Sequence, residues 1–200
     1  DSQGSGMLRS METTAIEYST ERMDHLGIVA GICKQINLIQ IIDGSLATPG
    51  GRKVSCGQAV QAMVLNALGL TGRALYLMPE YMRNKPVDLL IGEGLVADDF
   101  NDDTLGRALD EVQQAGVTEV FARVASNAVE VFEVEKSYAH LDTSSISLHG
   151  KYESDMAQRA VNVFDAVEIR HGYSKEHRPD LKQVVVTLIT SQASALPFWL

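Results

Sequence analysis

The chain has 200 residues, of which 45% are hydrophobic and 22% charged, with a formal net charge of −9. That size can bury a sizeable core in one or two domains, and the composition is ordinary for a globular protein rather than a disordered one. The acidic balance argues against a surface coated with phosphate-binding groups, and no run of about 18 or more apolar residues suggests a membrane span.

The opening Asp1-Ser-Gln-Gly-Ser-Gly6 before Met7 resembles a tag remnant. Residues 1–24 are read with it as a flexible N-terminus outside the fold. No basic start followed by an apolar segment and a small-residue cleavage site signals secretion, so a cytoplasmic protein is expected. From about residue 25 to 135 the apolar period is helical. Leu26, Val29, Ile32, Cys33 and Ile36 form a first stripe. Ser55-Cys-Gly-Gln58 matches a capping box, in which a serine and a glutamine satisfy each other's free amides. The helix it opens carries Ala59, Val60, Met63, Val64, Ala67 and Leu68 on one face, and Gly69 or Gly72 can stop it. Pro86 suits the first turn of a short helix through Leu90.

Asp98-Asp-Phe-Asn-Asp-Asp103 invites a calcium reading but lacks the glycine and terminal glutamate of a calcium loop at the required offsets. Asp102 or Asp103 is expected instead to cap a helix bearing Leu105, Ala108, Leu109 and Val112, which Gly116 breaks. A further helix should turn Val120, Phe121, Val124, Ala128, Val131 and Phe132 to the core. Cys33 sits on an apolar face and reads as a buried thiol. Cys56 opens a helix, where its thiolate would be favoured, yet no base adjoins it in sequence. Neither cysteine forms a metal or disulfide spacing, which fits a reducing compartment.

After Lys136 the pattern changes to strands. Residues 138–148 read as one, and Val184–Thr190 as a second, apolar enough to be buried on both faces. Ser191–Ala195 can turn the chain into a third strand, Leu196–Leu200, giving an antiparallel hairpin. The connection 150–182 is long, with a possible helix near Asp155–Phe164. The expected fold class is therefore α+β: an all-α helical domain over 25–136, then strands over 137–200.

Residues 1–136 carry a net charge of −8 and residues 137–200 only −1, and four of the five histidines lie in the second part. Candidate chemistry concentrates there. Asp142 stands on the first strand, where a carboxylate that becomes buried needs a cation or a donor. A structural aspartate and a metal-binding or catalytic one both remain open. Lys175, His177, Arg178 and Lys182 make a compact basic segment that could contact phosphates. The plainer alternative is a solvated loop paired with Glu176 and Asp180. His140 shares a strand face with Asp142, so a small metallohydrolase using His140, Asp142 and His171, or a zinc site drawing on His149, can be imagined. No metal-ligand spacing supports it.

Six segments, in order, resemble one family. They are His25–Cys33, Arg52–Asn66, Leu75–Glu80, Asn101–Asp110, His140-Leu-Asp-Thr-Ser-Ser145 and Gly172–Gln183. Together they are similar to the bacterial and archaeal insertion-sequence transposases of the DDE type. The resemblance spans roughly residues 25–200. It implies a helical domain followed by a catalytic domain of the ribonuclease-H-like fold, here only its first three strands. It also implies that Asp142 is the first of three acidic residues holding two magnesium (or manganese) ions for attack on DNA phosphodiesters. The implied partners are transposon-end DNA and a second copy of the protein.

In that fold the other two carboxylates follow the third strand. They are expected beyond Leu200, which leaves this polypeptide inert by itself and needing no metal of its own. The chain is then an expressed fragment or a truncated copy. The alternative is a non-catalytic truncated or domesticated transposase that binds DNA or pairs with the intact enzyme as a regulator.

Overall fold

A computed structural model describes residues 20–46, 51–69, 73–135, 137–150, 169–172, 177–192 and 194–199. The helix expected near Asp155–Phe164, and Lys175 and Glu176 of the basic segment, lie outside these residues. Seven α-helices occupy the first part of the described chain: α1 (Leu26–Gln35), α2 (Leu38–Ser45), α3 (Cys56–Ala67), α4 (Met78–Met82), α5 (Val87–Leu90), α6 (Asp102–Ala115) and α7 (Val117–Val131). Two short 3-10 turns, Leu75–Leu77 and Ala97–Phe100, link them. Four strands follow: β1 (Ala139–Leu148), β2 (Arg170–His171), β3 (Lys182–Ser191) and β4 (Pro197–Trp199). The architecture is α+β.

Local signals explain where the helices start and stop. α1 ends where Asn37 takes a left-handed φ of 52°, and α2 begins directly after it. The capping box at α3 forms: Ser55 Oγ accepts from Gln58 N at 3.2 Å, and Gln58 Oε1 accepts from Ser55 N at 2.9 Å. A third donor at this helix start, Gly57 N, is taken by Asp43 Oδ1 of α2 at 2.7 Å. Pro86 sits at the N-cap of α5 rather than in its first turn. The cap of α6 is Asn101, whose Oδ1 accepts from Thr104 N at 3.0 Å. Asp102 and Asp103 fall inside the first turn, where carboxylates complement the helix dipole without capping it. Gly116 separates α6 from α7 at φ 90°.

The core gathers Leu26 and Cys33 of α1, Ile42 of α2, and Ala59, Ala62 and Leu65 of α3 around Met78, Met82, Leu90, Phe100 and Leu105. Two helical faces differ from the sequence expectation. α3 buries Gln61 and Asn66 alongside its small apolar residues and leaves Leu68 exposed. α7 buries Val120, Ala125, Ala128 and Val129, while Val131 and Phe132 are 42% and 45% exposed. The buried amides are satisfied. Gln61 Nε2 donates to Leu90 O at 2.7 Å, and Asn127 Nδ2, half-buried on α7, reaches Ile36 O at 2.7 Å.

β1 and β3 pair antiparallel over ten positions, from Ala139 opposite Ser191 to Leu148 opposite Lys182. Since β1 fills one edge of β3, the short β2 and β4 share the other edge at opposite ends, β2 at Lys182–Gln183 and β4 at Ile189–Thr190. The hairpin of β3 and β4 is as expected. The expectation that β3 is buried on both faces is not met, since Val185 is 61% exposed. Among the described residues the helices meet the sheet chiefly where α7 packs on β4.

Gly57 is where α3 crosses α2. A Cβ there would lie 2.5 Å from Ile39 O and 2.7 Å from Ile39 Cα, both backbone atoms that no rotamer change can move. Helix propensity alone predicts that Gly57→Ala stabilises by about 1 kcal/mol. The clash reverses the sign, and the expected outcome in urea unfolding is a net loss of about 2 kcal/mol.

Candidate functional site

Asp142 lies on β1 opposite Leu188, with its side chain exposed. Its Oδ1 accepts from Thr143 N at 2.8 Å, which holds one carboxylate oxygen against the strand. His140 opposite Thr190 shares this face by the two-residue period. The carboxylate is thus exposed and hydrogen-bonded to the backbone of its own strand.

The basic segment is built around Gln183. This buried side chain donates through Nε2 to Gly172 O at 2.9 Å and to Arg178 O at 3.3 Å, tying both of these carbonyls to β3. Arg178 forms a two-pronged bond with Asp180, Nε to Oδ1 at 2.9 Å and Nη2 to Oδ2 at 2.7 Å. The Arg178 guanidinium draws the Asp180 carboxyl down to about 2, with a smaller push from His149. Arg178 therefore spends its fork on a neighbouring carboxylate, as the plainer alternative supposed. His177 is exposed at a left-handed φ of 55°, and Lys182 is half-buried at the start of β3.

The structure does not bring these groups to Asp142. Lys182 is six ladder positions from Leu188, the partner of Asp142, and at roughly 3.3 Å per residue the two ends stand about 20 Å apart. His171 pairs with Lys182 and lies at that far end, so a metallohydrolase site of His140, Asp142 and His171 cannot assemble. Among the described residues no group of three or more His, Cys, Asp or Glu could hold a metal ion.

The helical part adds a polar cleft of about 330 Å³ that the sequence did not disclose. Lys53 Nζ bridges to Asp99 Oδ2 at 2.8 Å, Arg52 pairs with Glu111, and Arg107 lines the same cleft. Burial raises the Asp99 carboxyl, but its bonds to Lys53 and the Val96 amide outweigh this and hold it below the usual range. These residues come from three stretches, the segment before α3, the 3-10 turn Ala97–Phe100 and α6, so no spacing in the sequence could have announced them. The helical part is also where known families bear on the chain. A family model matches residues 18–126, just over half of the sequence.

The chain belongs to the DUF4277 family, a domain of unknown function.

Nothing among curated proteins or solved structures matches the chain. The matched DUF4277 segment runs through α1 to α6 and most of α7. Asp142 and the basic segment lie outside it. No single described helix is long and apolar enough to cross a membrane.

Within the DUF4277 segment Cys56 is not the activated thiol that its helix-start position suggested. It is 7% exposed, its Sγ donates to Ala108 O at 3.4 Å, and burial, aided by Glu111 and Asp43, pushes it up to about 11. Burial raises Cys33 as well. In the folded protein both thiols are expected to resist a disulfide reagent at mild alkaline pH and to react once urea unfolds the chain. A raised thiol favours the fold only while it keeps its proton. Stability should therefore fall as pH rises from 9.0 towards about 11, and Cys56→Ala should flatten that fall.

Proposed function

We propose that the chain is the amino-terminal part of an insertion-sequence DDE transposase, in which the DUF4277 helices precede a ribonuclease-H-like domain that cuts and joins DNA. The observation that carries this reading is Leu141-Asp142-Thr143-Ser144 on the first strand of an antiparallel sheet, behind helices whose motifs resemble the family in order. The sheet supports it. β3 pairs along the whole of β1, and β4 returns against β3 as the expected hairpin.

Asp142 fits a magnesium or manganese ion in kind, as a hard oxygen donor on a strand fixed by a ten-position ladder. It does not suffice in number. The proposed chemistry takes three acidic residues, and the other two are assigned outside the described ones. When bound, the ions stabilise the leaving oxygen and activate water or a 3′-hydroxyl. The contribution of this chain is positional: the Thr143 amide holds Oδ1, and the exposed strand face lets a DNA phosphate approach. The partners in this reading are transposon-end DNA and a second copy of the protein, in the cytoplasm.

In a protein carrying the whole catalytic domain, Asp142→Asn is expected to slow magnesium-dependent cleavage at element ends by at least about a hundredfold. Loss of a partner one shell further out already costs up to that much. The unfolding midpoint should stay put, because the side chain is exposed. Cleavage at the parental rate would take Asp142 out of the site. The chain alone, with one of the three carboxylates assigned, is expected to leave the same DNA uncut.

A further inference from the structure

The helical part contains a place where cations outnumber carboxylates. A cleft of about 250 Å³ opens between the segment leading into α1 and the stretch around α4. Its charged lining is Arg22, Arg73 and Lys85 against Asp24 and Glu80.

Each cation is anchored differently. Arg22 N donates to Asn84 O at 2.8 Å, fixing the incoming chain against the turn after α4. Arg73 is gripped through its backbone by Asn66, which is only 4% exposed: Asn66 Nδ2 donates to Arg73 O at 2.5 Å, and Asn66 Oδ1 accepts from Arg73 N at 2.7 Å. The Arg73 guanidinium is left out of this clamp. Lys85 Nζ lies 4.2 Å from the centroid of the Tyr81 ring, and Tyr81 is pinned by its hydroxyl donating to Leu65 O at 3.0 Å.

The carboxylates do not neutralise this set. Arg22 and Asp24 approach to 3.9 Å, the outer limit of an ion pair. Among the described residues no carboxylate comes within ion-pairing distance of Arg73 or Lys85. Burial pulls the Lys85 ammonium below the usual lysine range, Asp24 opposes this, and Arg22 adds to it. An anion between the three cations would relieve both burdens. Two guanidinium forks and an ammonium are the donors that suit a tetrahedral oxyanion.

We propose that this cleft binds a phosphate group through Arg22, Arg73 and Lys85. That the phosphate belongs to a DNA backbone rests on the transposase reading; affinity for phosphate itself does not.

The test titrates the purified chain, at constant ionic strength, with inorganic phosphate and separately with a short mixed-sequence DNA duplex. Arg73→Gln and Lys85→Met are each expected to weaken phosphate binding about tenfold, the worth of one hydrogen bond to a charged group. Neither should unfold the chain. Asn66 holds only the backbone of residue 73, and methionine keeps an apolar stem on the Tyr81 ring. Glu80→Gln should tighten binding, a gain that a damaged fold cannot mimic. On the duplex, Arg73→Gln and Lys85→Met should weaken affinity and lower the salt slope by about one.

If phosphate binds equally to all variants, or to none including the parent, the proposal is overturned. If phosphate responds and duplex affinity is indifferent to the substitutions, the phosphate site stands and its assignment to a DNA backbone fails. If the parent takes phosphate but no duplex at all, the transposase reading fails while the cleft remains.

Discussion

The helical part depends on one crossing, where α3 lies against α2 with no side chain between Gly57 and the Ile39 backbone. Asp43 of α2 reaches over this contact to accept from Gly57 N, so the approach that excludes a Cβ also completes the cap of α3. Backbone against backbone is a stiff contact, because neither partner can escape by changing rotamer. With α3 fixed there, its remaining groups become attachment points for the rest of the chain. Gln61 holds the Leu90 carbonyl, Leu65 O accepts from Tyr81, and Asn66 clamps Arg73. Segments that are individually too short to be stable helices, α4 and α5 among them, are thereby held by side-chain bonds as well as by burial.

What was legible in the sequence was punctuation. The Ser55–Gln58 box, the break at Gly116, the strand over 139–148 and the closing hairpin all follow from residues acting within their own neighbourhood. What was not legible was the azimuth of the helices. The apolar pattern of α3 favoured Val60, Met63, Val64 and Leu68, but the buried face also takes in Gln61 and Asn66, whose hydrogen bonds offset the cost of burial. Hydropathy counts those two amides as outward votes and so turns the helix the wrong way. In α7 the small Ala125 and the valine at 129 face inward instead of Val131 and Phe132, since the chain leaves the helix at Phe132. At α6 the acidic run drew attention to Asp102 and Asp103, yet the residue before them had the extended backbone a cap requires.

Charge was legible in sum and misleading in place. The basic run near Arg178 is conspicuous along the chain but closes on Asp180, so local density overstates what it offers a ligand. Arg22, Arg73 and Lys85 are unremarkable along the chain and meet only because Asn66, Tyr81 and Asn84 hold their elements together. A net charge of −9 is compatible with such a cleft, because the field that a bound ion feels is set by groups within about a Debye length. The same reasoning explains why Cys56 could not be judged by its position at a helix start. There the dipole favours the thiolate, but burial against Ala108 and the nearby carboxylates outweighs it.

The sheet limits how Asp142 and the basic segment could act together. They stand at opposite ends of the β1–β3 ladder, about 20 Å apart, and no rotation of side chains can close a gap of six residue steps. Under the proposed reading, phosphates recur along one DNA strand at about 3.4 Å of helix axis. A duplex lying along the ladder would therefore place some six nucleotides between a bond presented to Asp142 and a phosphate near Lys182. Gln183 sets that distance, because it fixes where along β3 Gly172 and the Arg178 carbonyl are held.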